Sequence, residues 1–207
     1  MEKNTNYDMC KKCGGACCKE TGCMYVVDDF KPFNFRTIKS ALDSGKVSLG
    51  SQPIEFRAHQ WSIILFLRAR NKDGDVIDLV SKGGPCMMLD ENGCTYSEAE
   101  RPSLGLAIKP TKLGGPCGVQ GGERYMMEWI NNYSQLQSFV TRYTNKDVYD
   151  LFMEELNERL DTINTKKELD VELTPMESII EGWYHKVIKN KEFIPAQKVK
   201  TALNRRF

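Results

Sequence analysis

The stretch CKKCGGACCKETGC, residues 10–23, holds five of the eight cysteines of this chain and decides how the rest is interpreted. A chain of 207 residues is long enough to bury a core without covalent staples. Its first residues lack the basic and apolar segments of a secretory signal, which predicts a cytoplasmic location where thiols stay reduced. Eight cysteines that are not needed as disulfides indicate metal binding.

The first two cysteines, Cys10 and Cys13, have the spacing of a metal knuckle and are followed by Gly14. Two residues between the thiolates let both sulfurs reach one ion, and the glycine permits the turn. A thioredoxin-like dithiol has the same spacing but lies between a strand and a helix. Here polar residues precede the motif and two glycines follow it, which argues against a redox dithiol.

The other cysteines extend the motif into a larger set of thiols. Vicinal Cys17 and Cys18 would share one ion only through a strained small ring, so we expect them to serve different places. Glycine or proline adjoins each of the three later cysteines and lets backbone N–H groups approach an anionic sulfur. Eight thiolates make two sets of four, the ligand number of structural zinc and of a [4Fe–4S] cluster; one site with spare thiols is the alternative. The candidate metal ligands are Cys10, Cys13, Cys17, Cys18, Cys23, Cys86, Cys94 and Cys117.

Three segments of the first half, CKKCGGACCKETGC, GGPCMMLDENGC and TYSEAERP, together resemble the YkgJ-type cysteine-cluster proteins. That family is described as a zinc- or iron-chelating CxxCxxCC domain. The likeness spans residues 10–117, and its matching positions are Cys10, Cys13, Cys17, Cys18, Cys86 and Cys94. Three residues rather than two separate Cys13 from Cys17, and the family's Cys-Arg is missing after Arg101-Pro102, where Cys117 would supply the ligand from further along.

The resemblance implies an iron–sulfur cluster of the [4Fe–4S] type or zinc as the cofactor. The glycine-flanked cysteines favour the cluster, because N–H groups directed at sulfur stabilise it and tune its potential. A related motif in flagellin lysine methylases implies redox or methyl-transfer chemistry by analogy alone. His59 and His185 are expected to be packing or surface residues rather than ligands.

Three functions remain open from the sequence. The first is a cluster protein with redox or group-transfer activity on a protein or small molecule that the sequence does not identify. The second is a structural zinc module that presents the helical half to a protein partner, and the third is metal storage or delivery, with Cys17 and Cys18 as a transfer pair. The chain contains no phosphate loop, nucleophile elbow or HExxH motif, so whether it is an enzyme stays open.

The predicted fold class is α+β. We expect a small cysteine-rich, metal-bound region with a β-hairpin over residues 1–122, and a helical region over residues 123–207 that packs on it to form one compact unit. In the first region the pattern predicts a helix capped by Asn34 and ended by Gly45. Its hairpin is predicted to pair a strand at 60–70 with one at 75–80. In the second, apolar periodicity predicts helices over 123–143 and 147–160. A third is predicted to follow the capping box that starts at Thr174.

Charge and hydropathy bound the choice of partners. The formal net charge is +1, and no apolar run approaches the length of a membrane span, which argues against a membrane partner. The C-terminal stretch 186–207 is basic. It has few aromatic residues and no nucleic-acid-binding motif, so we interpret it as a solvated tail rather than a nucleic-acid arm.

Overall fold

The fold combines helices with a small sheet, as the α+β prediction requires. The computed structural model describes residues 14–91, 93–97, 99–107, 109–110, 117–118 and 122–203. For residues 16, 17, 109, 110, 117, 118, 122, 123 and 200–203 it describes the backbone alone. No helix in these ranges is long and apolar enough to cross a membrane.

The secondary structure follows the chain in this order. The helices are α1 (Ala16–Glu20), α2 (Phe35–Asp43), α3 (Ser103–Ala107), α4 (Gly122–Asn131), α5 (Tyr133–Thr144), α6 (Val148–Glu168), α7 (Pro175–Trp183) and α8 (Ala196–Leu203). A 3-10 turn covers Val27–Phe30, and a π-helical turn, Tyr184–Ile188, continues α7. The strands are β1 (Val47–Arg57), β2 (Gln60–Ala69), β3 (Leu89–Asp90), β4 (Gly93–Cys94), β5 (Lys109–Pro110), β6 (Cys117–Gly118) and β7 (Glu192–Phe193).

The hairpin exists, but the prediction of its partner strand was wrong. β2 occupies the predicted position, whereas its neighbour is β1, joined to it by a turn in which His59 has a positive φ of 69°. Residues 75–80 are not a strand; the Val76 carbonyl accepts one hydrogen bond from Leu49 N–H at 2.8 Å. Gly50 and Pro53 weaken the strand signal of β1 in the sequence, since both are depleted in strands.

The predicted helix ends are confirmed where the signal is local. The Asn34 side chain accepts from Thr37 N–H at the start of α2. At the start of α7, Thr174 and Glu177 form the predicted reciprocal capping box. The predicted helix over 123–143 is divided by a break at Asn132 into α4 and α5, and α6 runs on past residue 160 to Glu168.

The chain separates into two compact units that alternate along the sequence. The first takes the described residues up to Leu49, together with Leu67–Val76 and Gly83–Glu128. The second comprises Gly50–Phe66, Ile77–Lys82 and the described residues from Trp129 onward. The boundary at residue 122 between a metal-binding region and a helical region stays a prediction.

The core of the second unit is built around an aromatic cluster. Trp61 of β2 is 2% exposed, and its ring lies 5.0 Å from Phe193, 5.8 Å from Phe152 and 6.2 Å from Tyr149 between centroids. β7 pairs with β2 in parallel, with Trp61 opposite Phe193. Aromatic contacts therefore join the hairpin to α6 and β7 within this unit.

A partly buried carboxyl group, that of Glu155 in α6, is hydrogen-bonded to the segment 77–82 in the second unit. Its Oε2 accepts a hydrogen bond from Val80 N–H at 2.7 Å, while Arg159 Nε donates to the Val80 carbonyl at 3.2 Å. Burial raises the pKa of Glu155 to about 7; the nearby Asp78 charge raises it further, and the Val80 and Leu79 N–H groups and Arg159 lower it. The folded state therefore favours the protonated carboxyl group.

We expect stability to fall as pH rises from about 4.5 to 7, because the unfolded chain releases the Glu155 proton before the folded chain does. The loss integrates to roughly 3 kcal/mol at about 1.4 kcal/mol per pKa unit. Glu155→Gln should abolish this component, which denaturation at several pH values would measure. Glu168→Gln, at an exposed position at the end of the same helix, is the control and should keep the wild-type pH profile. Equal profiles for wild type and Glu155→Gln would contradict the prediction.

Candidate metal centre

Two cysteine-bearing segments that are far apart in sequence lie side by side in the first unit. Cys86 N–H donates to the Cys18 carbonyl at 2.7 Å, and Gly84 N–H donates to the Glu20 carbonyl at 2.9 Å. These two bonds join α1, which carries the vicinal pair, to the first Gly-Gly-Pro-Cys tetrapeptide. The side chain of Cys86 is buried, at 4% exposure.

Cys94 is brought to the same neighbourhood by the short β3–β4 hairpin. Leu89 is the antiparallel partner of Cys94, and Leu89 N–H also donates to the Cys86 carbonyl at 3.0 Å. The Leu89 side chain packs so closely on Gly15 that an added Cβ there would lie 2.7 Å from its Cδ1. A leucine therefore fills the space between the N-terminal cysteine segment and the β3–β4 hairpin.

Cys23 is held at the end of β2 and against α3. Its carbonyl accepts from Ala69 N–H at 2.8 Å. A Cβ on Gly105 of α3 would lie 3.3 Å from the Cys23 Sγ, so this glycine allows the helix to approach the thiol. Gly22 is packed more tightly still, since a Cβ there would lie 1.9 Å from the Ala69 carbonyl oxygen. The position of Cys23 thus depends on the absence of a side chain at both Gly22 and Gly105.

The Arg-Pro feature of the sequence leads directly into α3. Arg101 Nε donates to the Tyr96 carbonyl at 3.3 Å, and Pro102 is buried. Ser103, the first residue of α3, hydrogen-bonds to the Asp29 carboxylate through both its backbone N–H and its hydroxyl group. These contacts fix the start of α3, whose Gly105 faces Cys23. Arg101 and Ser103 therefore help to position α3 against this cysteine.

A pair of buried tyrosines adjoins the cysteines. The Tyr25 and Tyr96 hydroxyl groups are hydrogen-bonded to each other, and Tyr96 donates to the Lys46 carbonyl at 3.3 Å. Burial raises the pKa of both phenols; the charge of Cys86 raises the pKa of each, and that of Cys94 raises the pKa of Tyr96. Both phenols therefore stay protonated. A phenol has one hydrogen, and since Tyr96 donates to the Lys46 carbonyl, Tyr25 is the donor in the tyrosine pair.

Asn71, two residues after the end of β2, forms several hydrogen bonds in this neighbourhood. It is fully buried, and its Oδ1 accepts from Gly22 N–H at 2.8 Å and from Arg68 Nη1 at 2.9 Å. Its Nδ2 donates to the Gly83 carbonyl at 3.0 Å, and its backbone forms an antiparallel bridge with Cys86. One amide therefore joins three chain segments.

The structure describes the side chains of four of the eight candidate cysteine ligands. Cys10 and Cys13 lie outside the described residues, as do the side chains of Cys17 and Cys117. The backbone of Cys117 pairs with Pro110 in the β5–β6 ladder. Of the four with described side chains, Cys18, Cys86 and Cys94 belong to segments in direct contact, and Cys23 lies against α3. His59 lies in the hairpin turn, and His185 is half-exposed on the π-helical turn.

Within the described ranges, no three Cys, His, Asp or Glu side chains form a group that could hold a metal ion. The chemistry of the neighbourhood nevertheless suits a thiolate-bound centre. Its donors are thiols, which zinc and iron–sulfur clusters both accept.

Comparisons of this chain with protein-family models, with curated proteins and with solved structures found no match.

Several residues of this neighbourhood were not singled out by the sequence pattern. Tyr25 and Tyr96 each stand two positions after a cysteine, in Cys-Met-Tyr and Cys-Thr-Tyr. This repeated spacing could have indicated that the two tyrosines belong to the cysteine neighbourhood. Asn71 lies between the predicted strands at 60–70 and 75–80, where a turn is expected and asparagine is common. Its burial results from contacts with residues 22 and 83, which no local pattern reveals.

Proposed function

We propose that this protein uses its cysteine thiolates to hold a metal centre, an iron–sulfur cluster of the [4Fe–4S] type or zinc, in a reducing, cytoplasmic environment. The observation that carries the proposal is the hydrogen bond from Cys86 to Cys18 at 2.7 Å. It joins the vicinal cysteine segment to the first Gly-Gly-Pro-Cys segment across 68 positions of sequence, the difference between 86 and 18. The resemblance to the YkgJ-type proteins, proposed as the family, supports the same chemistry.

The surroundings of Cys86 support a stabilised thiolate. Its side chain is buried, and a buried thiolate needs hydrogen-bond donors or a metal cation to offset the loss of solvent. The charge of Cys86 acts on both Tyr25 and Tyr96. A metal or cluster bound to such thiolates would supply either folding free energy or electron transfer.

Elemental analysis combined with absorption spectroscopy on anaerobically purified full-length protein tests the proposal. We expect either iron with sulfide and a brown charge-transfer absorbance, or stoichiometric zinc in a colourless preparation. Cys86→Ser should lose most of the bound metal, because serine is a poor ligand for both. Met87→Ser is the control, since Met87 is an exposed neighbour of Cys86, and it should keep the wild-type metal content.

The outcome also separates the proposed uses of the centre. A brown protein with reversible reduction supports redox or group-transfer activity. Tightly held zinc, together with unfolding of the first unit when a chelator removes it, supports a structural module for protein interaction. Zinc that exchanges readily at part of the cysteine set supports storage or delivery. Wild-type protein that carries no metal and takes up neither zinc nor a reconstituted cluster contradicts the proposal.

A further inference from the structure

We propose that Asn71 is a positioning residue for the thiolate centre: its side-chain amide holds the Cys23 and Cys86 segments in place relative to each other. The inference rests on the proposed metal-binding function and assigns Asn71 no direct contact with a metal. The argument starts from the hydrogen bonds that its two side-chain atoms make.

The Oδ1 atom of Asn71 holds the Cys23 side of the neighbourhood. It accepts from Gly22 N–H at 2.8 Å, and Gly22 is the residue immediately before Cys23. The same oxygen accepts from Arg68 Nη1 at 2.9 Å. Arg68 is 4% exposed, and its backbone forms an antiparallel bridge with Met24, the residue after Cys23. Both chain neighbours of Cys23 are therefore attached to residues 68–71.

The Nδ2 atom of Asn71 holds the Cys86 side. It donates to the Gly83 carbonyl at 3.0 Å, and Gly83 opens the tetrapeptide that ends in Cys86. The backbone adds two further connections in the same direction. Asn71 forms a bridge with Cys86, and Lys72 N–H donates to the Pro85 carbonyl at 2.9 Å. The tetrapeptide is thus attached at both ends.

An amide matches this arrangement. Two donors face Oδ1 and one carbonyl faces Nδ2, so the side chain must accept on one side and donate on the other. An aspartate at this position keeps the acceptor but turns a second oxygen toward the Gly83 carbonyl. Because Asn71 is fully buried, each group left unpaired costs about 1–3 kcal/mol.

The consequence for the centre follows from the geometry of metal binding. Residues that orient ligands without touching the metal typically account for about 10–100-fold in metal affinity. Asn71 would do this for backbone segments rather than for a ligand side chain, because it joins the segment of Cys86 to that of Cys23.

The test measures metal affinity in Asn71→Asp by chelator competition, using the zinc or iron that the full-length protein retains after anaerobic purification. We expect at least about tenfold weaker retention than in wild type, with the far-UV circular dichroism of the helices preserved. If Asn71→Asp does not fold, Asn71→Ser, whose hydroxyl group can still pair with one of the facing groups, takes its place in the same measurement.

Ser51→Ala is the matched control. Ser51 is 5% exposed and its hydroxyl group donates to the Leu79 carbonyl at 2.8 Å. The change removes a buried side-chain hydrogen bond in the second unit, which contains no cysteine. It should lower stability and leave metal retention at the wild-type level.

The possible results separate this inference from the proposed function. Wild type that binds metal while Asn71→Asp retains it equally well overturns the positioning role alone. Equal losses in Ser51→Ala and Asn71→Asp also overturn it, because general destabilisation would then explain both. Wild type that binds no metal under any condition overturns the proposed function itself.

Discussion

Gly22→Ala is expected to destabilise the first unit by about 3 kcal/mol or more and to lower metal retention in the same protein. A Cβ at Gly22 would lie 1.9 Å from the carbonyl oxygen and 2.6 Å from the carbonyl carbon of Ala69. Both are backbone atoms at the end of β2, so no side-chain rotation relieves the contact. The segment must move away, and Cys23 moves with it.

Denaturant unfolding and elemental analysis of the same preparations measure the two effects. Gly182→Ala is the control, because Gly182 lies in α7 with nothing within 4 Å of the added Cβ. Alanine within a helix is favoured over glycine by about 1 kcal/mol, so this variant should be as stable as wild type or more so. A Gly22→Ala protein with the wild-type unfolding midpoint would contradict the close approach of residue 22 to β2.

Trp61→Ala is expected to cost the second unit about 3–5 kcal/mol, the range for removing a large aromatic side chain from a core. Trp61 is 2% exposed and contacts rings from both α6 and β7. Its loss leaves a cavity beside Phe152 and Phe193. Trp61→Phe keeps an aromatic ring and should lose substantially less.

Equilibrium unfolding monitored by circular dichroism measures this loss. Leu169→Ala is the control, since Leu169 is 69% exposed at the end of α6, and surface changes of this kind stay within about 0.5 kcal/mol. Equal unfolding free energies for Trp61→Ala and Leu169→Ala would contradict the placement of Trp61 in the core.

The helix ends could be predicted because their determinants are neighbours in sequence. Thr174 and Glu177 cap each other across three positions, and Asn34 caps Thr37 in the same way. The break at Asn132 was missed because apolar spacing continues through it, so periodicity alone cannot separate one long helix from two consecutive ones. Local chemistry was therefore sufficient to predict helix ends but not the break within the predicted helix over 123–143.

The strand pairing, in contrast, could not be predicted from residues that are neighbours in sequence. Residues 75–80 follow an obvious turn and are apolar enough to suggest a strand, yet β1 is the neighbour of β2. Which strand pairs with β2 depends on burial of its whole length, and nine of its ten residues are buried. Pairing preferences depend on such packing more than on the identity of the residues in one strand.

The sequence by itself determined the number and spacing of the cysteines, and with them the prediction of a thiolate-bound metal centre. It also determined the α+β class, because amphipathic periodicity and capping are encoded over a few adjacent residues. Only the tertiary structure brought Cys18 beside Cys86 and buried Asn71 between the Cys23 and Cys86 segments. Those contacts join residues 12 to 68 positions apart, and their free energy comes from excluding water around groups that meet only once the chain has folded.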